Sequence, residues 1–373
     1  THVADAKARQ RLRSVRKRNP DSYIVATGCY AQRDKNSIAE MNEVDLIVGN
    51  TGKDSLVDTI LATWDFSTKE LGSQQIGEYL NVGKVRSMLK IQEGCNQVCA
   101  YCIVPKVRGR EKSVPPDSIV QRINNLVKKG YKEVVLTGSQ LGTYGLDIHG
   151  TSLVSLLKDI LIKTDVPRLR VSSLQPQEIT ENLLSLWTDS RLCPHFHLAL
   201  QSGSESILKR MRRRYNPEQY LSKVCMIRDK IPSVSLTTDV IVGFPGESDI
   251  DFDATVAIAE TVKFSRIHVF PYSARPGTSA TYLKEMVDYG TKSKRVHVLT
   301  SLSEHHAINH REMFIGSKRQ VLWEEQSGSE GRWIGLTDNY IRVITEHPSS
   351  LYNTITHFVL EKQTGKYVMG FVA

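Results

Sequence analysis

The sequence is notable first for what it lacks. It has no signal peptide and no apolar run of membrane length, so neither secretion nor a membrane span is expected, and the location that fits is a reducing cytoplasm. Its six cysteines form no pair of C-x2-C motifs, which argues against the usual four-ligand zinc knuckle, and in a reducing compartment they are ligands or buried bystanders, not disulfides. No H-E-x-x-H occurs. Aromatics make up only 7% of the chain, and acidic residues are outnumbered, with 49 Lys and Arg against 40 Asp and Glu, a formal charge of +9. That excess suits a polyanionic partner such as RNA, although charge by itself says nothing of fold. The chain opens on Thr1 with a helical pattern and no leading strand, which reads as a cut front. Its 373 residues exceed one typical core, so two or three domains are expected.

What is present centres on Cys95, Cys99 and Cys102, a C-x3-C-x2-C cluster that ends the apolar run Met88, Leu89, Ile91. Three thiolates at this spacing can hold a cubane iron-sulfur cluster while leaving one iron open. An open iron can chelate S-adenosylmethionine and pass an electron into its sulfonium bond, the cofactor doing the chemistry and the protein aiming it. A zinc site is the bland alternative, and it would need a fourth ligand. Tyr101, just before the last cysteine, either packs against an adenine or fills a core.

From residue 85 onward, strand candidates at 87–92, 133–136, 169–172, 196–200, 235–242 and 266–270 alternate with helices, for example one opened by Pro116-Asp117 and closed at Gly130. Six β/α units imply a parallel sheet curled into a partial barrel, whose chemistry belongs at the strand carboxyl ends. The cysteine loop follows the first of these strands. The same rule nominates Gly138 and Ser139, Ser173, Gln201 and Gly243 as cofactor-binding positions. Each glycine loop alone is weak, since tight turns need glycine anyway, and their recurrence at one rim is the stronger signal.

Ahead of the barrel lie a helix at about 3–18 rich in Lys and Arg, either a solvated face or an RNA-facing one, and an α/β piece with strands at 23–26 and 44–48. Cys29 stands at the carboxyl end of the first strand, where open α/β sheets hold ligands and where a lone Cys is ordinarily a small buried hydrophobe. Behind the barrel, a helix at about 292–310 carries His297, His305, His306 and His310. The i, i+4 pair His306 and His310 could chelate a metal, but a polar outer face is the preferred reading. After Gly316 the period becomes two, with strands at 320–324, 332–336, 341–345, 356–360 and 367–371 and turns at Ser327-Gly328-Ser329, Asp338-Asn339 and Thr364-Gly365. Five short strands suggest a small closed barrel of the oligonucleotide-binding kind, in which Lys318, Arg319, Arg332, Arg342, Lys362 and Lys366 would meet phosphates and Trp323, Trp333 and Tyr340 would stack bases. A structural cap is the alternative. Arg108 and Arg110, beside the cysteine loop, are phosphate or cofactor contacts or ordinary ion pairs.

Over nearly its whole length the chain resembles the methylthiotransferase branch of radical S-adenosylmethionine enzymes. The resemblance is carried by KIQEGC (90–95), CIVP (102–105), RGRE (108–111), LALQSGS (198–204), DVIVGFPGE (239–247) and FPYSARPGT (270–278). The segments 1–7, 136–145 and 193–195 look most like the subgroup acting on threonylcarbamoyladenosine 37 of tRNA. The resemblance implies an amino-terminal domain remnant at 1–78, a radical barrel at 79–312 and a TRAM RNA-binding domain at 314–373. The fold class is therefore α/β with an OB-like all-β barrel appended. It also implies two 4Fe-4S clusters, S-adenosylmethionine, a reducing electron donor and the tRNA anticodon stem-loop, with no membrane partner. Of three amino-terminal ligands to the auxiliary cluster only the third, Cys29, stands in this chain, the second falling just before Thr1, so a fragment of an active parent is expected. Its implied chemistry is hydrogen abstraction from carbon 2 of the modified adenine by a 5′-deoxyadenosyl radical, followed by methylthio delivery. Rival readings are a methylthiotransferase for an aspartate of a ribosomal protein and a non-catalytic RNA-binding module with a relict cluster.

Overall fold

The computed structural model describes residues 2–64, 85–328 and 331–373; Thr1, Ser329 and the 78/79 domain boundary expected from sequence lie outside them. The chain forms two compact units, one of residues Thr1–Val82, Gly94–Arg110 and Ser273–Tyr282, the other of Gly83–Glu93, Glu111–Tyr272 and Leu283–Ala373. The cysteine loop thus belongs to the first unit, and the small carboxyl-terminal barrel shares the second with the β/α core.

In the first unit, helix His2–Arg18 precedes the parallel pair β1 (Val25–Thr27) and β2 (Leu46–Val48). Three of the basic side chains from this region are tied inward. Arg16 pairs with Asp45 at 2.6 Å, Arg33 with Asp5 at 2.8 Å, and Arg9 donates to the Tyr30 hydroxyl at 2.9 Å.

In the second unit, β3 (Arg86–Glu93), β4 (Lys112–Ser113), β5 (Glu133–Gly138), β6 (Arg168–Val171), β7 (Ser173–Leu174), β8 (His195–Leu198), β9 (Ser235–Val242) and β10 (Arg266–Pro271) make two four-stranded sheets, ordered β4-β3-β5-β6 and β7-β8-β9-β10. All pairings are parallel except the short β3/β4 contact. A bridge from Leu169 to Leu192 carries the curl across the break at Ser172. The result is the partial barrel expected of six β/α units, open between β3 and β10. Buried Ile119, Val120 and Ile123 on helix Pro116–Lys128, and Leu153, Leu156, Leu157 and Ile160 on helix Leu153–Lys163, recur at helical spacing and cover the sheet. The helices begin where sequence chemistry dictates. Asn216 and Gln219, and Ser248 and Asp251, form capping boxes, and Lys263 ends helix Asp249–Val262 in the left-handed region at φ 50°.

The small barrel, β11 (Lys318–Gln326), β12 (Arg332–Thr337), β13 (Arg342–Glu346), β14 (Ile355–Thr364) and β15 (Tyr367–Val372), closes in the order β11-β12-β13-β15-β14 around Val321, Trp323, Trp333, Val343, Phe358, Leu360 and Val368. It docks on the amino-terminal ends of the core strands through buried polar groups. Arg168 donates to the carbonyls of Leu336 (3.0 Å) and Thr337 (2.9 Å) and also pairs at 2.8 Å with Glu133, which in turn pairs with Arg170 at 2.9 Å. Ser235 Oγ lies 2.7 Å from His310 Nε2 and donates to the Asn339 carbonyl. The long helix, Tyr289–Glu312, buries His306 and His310, so the expected polar outer face holds only for exposed His297 and His305. The burial follows from that helix packing against β10 and β9.

Candidate active site

In the first unit the cysteine loop is pinched shut at its base. Gly94 adopts φ +75°, and a Cβ there would lie 1.9 Å from the Arg110 carbonyl oxygen, so only glycine fits. The Cys95 amide donates to the Gly109 carbonyl at 3.1 Å, and the Cys102 amide to the Cys99 carbonyl at 3.1 Å, a turn that places the last two cysteines at its ends. Helix Val104–Val107, with Pro105 in its first turn, leads out of the loop. Further support comes from Ala280, whose amide donates to the Ala100 carbonyl at 2.8 Å.

None of these cysteines is in a disulfide; Cys95 is buried and Cys99 and Cys102 are half-buried. Among the described residues no group of three or more His, Cys, Asp or Glu converges on one metal ion. A cubane does not ask for that convergence, since each thiolate takes a different iron, whereas a zinc site does. The amide of Gln97 donates to Cys95 Sγ at 3.4 Å, the kind of N–H to sulfur bond that tunes cluster ligands. The donor set and its loop therefore fit a three-cysteine cluster.

Cys29 opens helix Cys29–Arg33 directly after β1 and Gly28. Its sulfur accepts from Arg108 Nε at 3.4 Å and from Asn50 Nδ2 at 3.7 Å, and that same Asn50 amide also donates to the Val107 carbonyl at 2.7 Å. Burial alone would push the thiol up; the hydrogen bonds from Arg108 and Asn50, with the charges of Arg108 and Lys53, outweigh it and hold Cys29 below the ordinary thiol range. Arg108 is thus aimed at a sulfur, while Arg110 is exposed. Tyr101 is half-buried within the same loop.

In the second unit the strand-end positions form a polar network that was not foreseen from sequence. Gln92, fully buried at the end of β3, accepts through Oε1 from the amides of Ser139 (3.0 Å) and Gln140 (2.9 Å), and a side chain at Gly138 would press on it and on Leu141. The Gln140 side chain donates to Glu178 and accepts from Gln175, whose own amide donates to Glu178 Oε2 at 2.8 Å. Burial pushes the Glu178 carboxyl up to about 7 despite these bonds. Ser173 is exposed on β7. Gln201 sits at φ +63°, its amide donating to the Asp239 carbonyl at 2.8 Å and its carbonyl accepting from Ile241 at 2.9 Å; a non-glycine residue held there stores strain of the kind found at functional sites. The Gly243 amide donates to Glu247 Oε2 at 2.5 Å, and Glu247 is gripped by Arg295 of the long helix at 2.6 Å, so the glycine turn is closed on itself. The signal that could have found these residues was glutamine and glutamate inside otherwise apolar strand ends.

The small barrel changes the expected RNA face. Trp333 is 7% exposed and Trp323 fully buried, both in the barrel core, so neither can stack a base. Tyr340 lies against His195, ring centroids 4.4 Å apart, and under the Arg170 guanidinium. Arg319 is mostly buried against Asp338 at 2.8 Å, whereas Lys318 is exposed and Arg332 is a half-exposed partner of Glu346. Phe371, 49% accessible, is the most exposed aromatic among the described residues of the small barrel, ahead of Tyr352 (42%) and Tyr340 (41%), and shares a cross-strand row with Val359 and Lys318. No helix among the described residues is long and apolar enough to cross a membrane.

The Radical SAM superfamily model matches residues 89–259, and Uncharacterized protein family UPF0004 matches residues 1–49. The chain is 34% identical to threonylcarbamoyladenosine tRNA methylthiotransferase MtaB of Bacillus subtilis (strain 168), over 99% of this chain and 85% of that protein. It is 38% identical to MtaB of Aquifex aeolicus (strain VF5), over 92% and 82%. It is also 35% identical to tRNA-2-methylthio-N(6)-dimethylallyladenosine synthase of Endomicrobium trichonymphae, over 84% and 74%. With three cysteines in a pinched loop after the first strand of a partial barrel, and relatives matched across most of their length, the chain belongs to the radical S-adenosylmethionine methylthiotransferase family.

Proposed function

We propose that the chain is a tRNA methylthiotransferase that places a methylthio group on carbon 2 of N6-threonylcarbamoyladenosine 37, spending one S-adenosylmethionine on radical generation and a second as methyl donor. What carries the reading is the neighbourhood of Cys29. Its helix packs on Val104–Val107, directly after the three-cysteine loop, and Arg108 reaches from that loop to its sulfur. A second sulfur-ligating position beside the first is what a two-cluster sulfur-transfer enzyme needs.

As a family member the enzyme uses a 4Fe-4S cluster and S-adenosylmethionine. The cluster, when bound, supplies the electron that cleaves the cofactor. Cys95, Cys99 and Cys102 would hold it, with the Gln97 amide supporting Cys95. Arg108 and Asn50 keep Cys29 ready as a thiolate ligand. Tyr101, Gly138, Ser139, Ser173, Gln201 and Gly243 are proposed as cofactor contacts, the last two held rigid by the hydrogen bonds above. On the small barrel, Lys318 and Phe371, with Arg332, are proposed to hold the anticodon stem-loop by phosphate contact and stacking, and the target base must leave its stack to react. Domains at 1–78, 79–312 and 314–373 go with this reading, as does a reducing electron donor.

The test is nucleoside mass spectrometry after anaerobic reconstitution, with tRNA carrying either the threonylcarbamoyl or the dimethylallyl adenosine and with the ribosomal-protein aspartate peptide as a third substrate. Methylthiolation of the first alone supports the reading. Product from the dimethylallyl tRNA, the activity named for a relative 35% identical to this chain, would move the substrate assignment, and product from the peptide would move it further. Cys99→Ala should abolish 5′-deoxyadenosine release while RNA binding persists; cleavage that survives would sink the cluster assignment.

A further inference from the structure

The second unit contains a cavity of about 670 Å³ that the chemistry above does not use. It lies at the amino-terminal ends of β9 and β10, on the side where the half-barrel is open between β10 and β3, and is floored by the small barrel. Its size falls in the range of pockets that hold small ligands or a short piece of a polymer. Arg86, Arg266, Arg311, Arg342 and Lys366 line it, against the single carboxylate of Glu304.

The cations differ in how far they are already satisfied. Arg86 is paired with Glu324 at 2.7 Å, and Arg342 stands 3.9 Å from Glu325. Arg266, Arg311 and Lys366 have no carboxylate within ion-pair distance among the described residues. Among the described residues the Arg311 Nε is buried without a hydrogen-bond partner, and its Nη2 donates to the Gly365 carbonyl at 3.4 Å. A buried donor left unmet is costly, so an acceptor entering here gains more than at an open surface. Arg266, Arg342 and Lys366 are exposed, which makes this an open groove edged with positive charge. Five cations against one carboxylate, arranged along an open groove with hydroxyls from Ser265, Thr300 and Ser303 between them, suit a chain of phosphates better than a single enclosed nucleotide.

We propose that this cleft is a second RNA contact, in which Arg266, Arg311 and Lys366 hold backbone phosphates of the substrate away from the modified base. The assignment rests on the tRNA reading above. The six residues of β10 span about 20 Å from Arg266 to the carboxyl rim, so a bound strand would meet the cleft a few nucleotides from a base held at that rim. The dock that forms the floor is buried and fully cross-linked by Arg168, Ser235 and Asn339, so the cleft exists before RNA arrives.

The experiment compares the reconstituted full chain with Arg266→Glu/Lys366→Glu and with a matched reversal elsewhere on the surface, Lys158→Glu/Lys230→Glu, by fluorescence anisotropy of a tRNA transcript across a salt series. The cleft pair should bind roughly tenfold or more weakly, with a log-log salt slope shallower by about two. The control pair should move much less, and release of 5′-deoxyadenosine without RNA should be unchanged in both. The neutral pair Arg266→Gln/Lys366→Gln should show a smaller loss in the same direction. Equal losses in cleft and control pairs, or none in either, would overturn the proposal. So would tight binding of ATP that the cleft pair abolishes while tRNA affinity stays intact, since the ligand would then be a free nucleotide. Cleft-dependent tRNA binding by a wild type that methylthiolates no tRNA would leave this contact standing and remove the proposed activity instead.

Discussion

Trp333 and Phe371 should separate folding from recognition in the small barrel. Trp333 is 7% exposed and packed among Val321, Val343 and Phe358, so Trp333→Leu removes a buried ring and leaves part of its volume empty. Full truncation of a buried Trp costs about 3–5 kcal/mol, and the partial replacement by Leu should cost about 1–3 kcal/mol. Phe371 is 49% exposed, so Phe371→Ala gives up about half of a Phe burial, ~1 kcal/mol. If Phe371 stacks a base beside Lys318, its loss instead weakens RNA binding by about 1–3 kcal/mol, or roughly 5- to 150-fold. Urea unfolding followed by tryptophan fluorescence reads the first effect, and RNA anisotropy at a temperature where both variants are folded reads the second. Trp333→Leu should be less stable with unchanged affinity, and Phe371→Ala nearly as stable with reduced affinity. A folded Trp333→Leu that loses RNA binding, with Phe371→Ala binding normally, would refute the assignment of inner and outer faces and restore the sequence expectation.

Three further outcomes are expected. Glu133→Ala leaves Arg168 and Arg170 buried with no carboxylate, and should lower stability by about 3–5 kcal/mol in urea unfolding; a loss under about 1 kcal/mol would show that the triad is not held dry. Burial pushes the His310 imidazole down to about 4, so the fold favours its neutral form. Stability from this group is complete above the unfolded value near 6.5, falls as pH drops and is lost at about 4, worth on the order of 3 kcal/mol; stability curves of wild type and His310→Gln should diverge over that window, and parallel curves would contradict it. Gly94→Ala forces a Cβ onto the Arg110 carbonyl, so reconstituted iron should fall several-fold while the circular dichroism of the core persists, and full iron loading would show that the loop base can open at no cost.

The strands of the half-barrel were legible because parallel strands buried on both faces read as continuous apolar runs, and the cysteine loop was legible because its spacing is fixed by the cluster it serves. The small barrel was also readable, and strand alternation assigns its inner face. Arg332 and Trp333 are neighbours on β12, so if the arginine points outward the tryptophan must point inward; Val321 and Trp323 share a face of β11 by the same count. On β15, an inward Val368 sends Met369 and Phe371 outward by the same alternation, which marks Phe371 as an exposed aromatic. What periodicity could not reveal were the charges that are buried because they meet each other. Glu133, Arg168 and Arg170 sit on neighbouring strands, and only the register, Glu133 against Arg168, brings them together at the end that the small barrel covers. Arg168 satisfies a core carboxylate and two carbonyls of the small barrel at once, so the appended barrel is fixed to the core by groups whose desolvation cost would return if it left. A basic cleft that needs walls from both parts can therefore be preformed, and salt-dependent RNA binding should be sensitive to the dock as well as to the cations that line it.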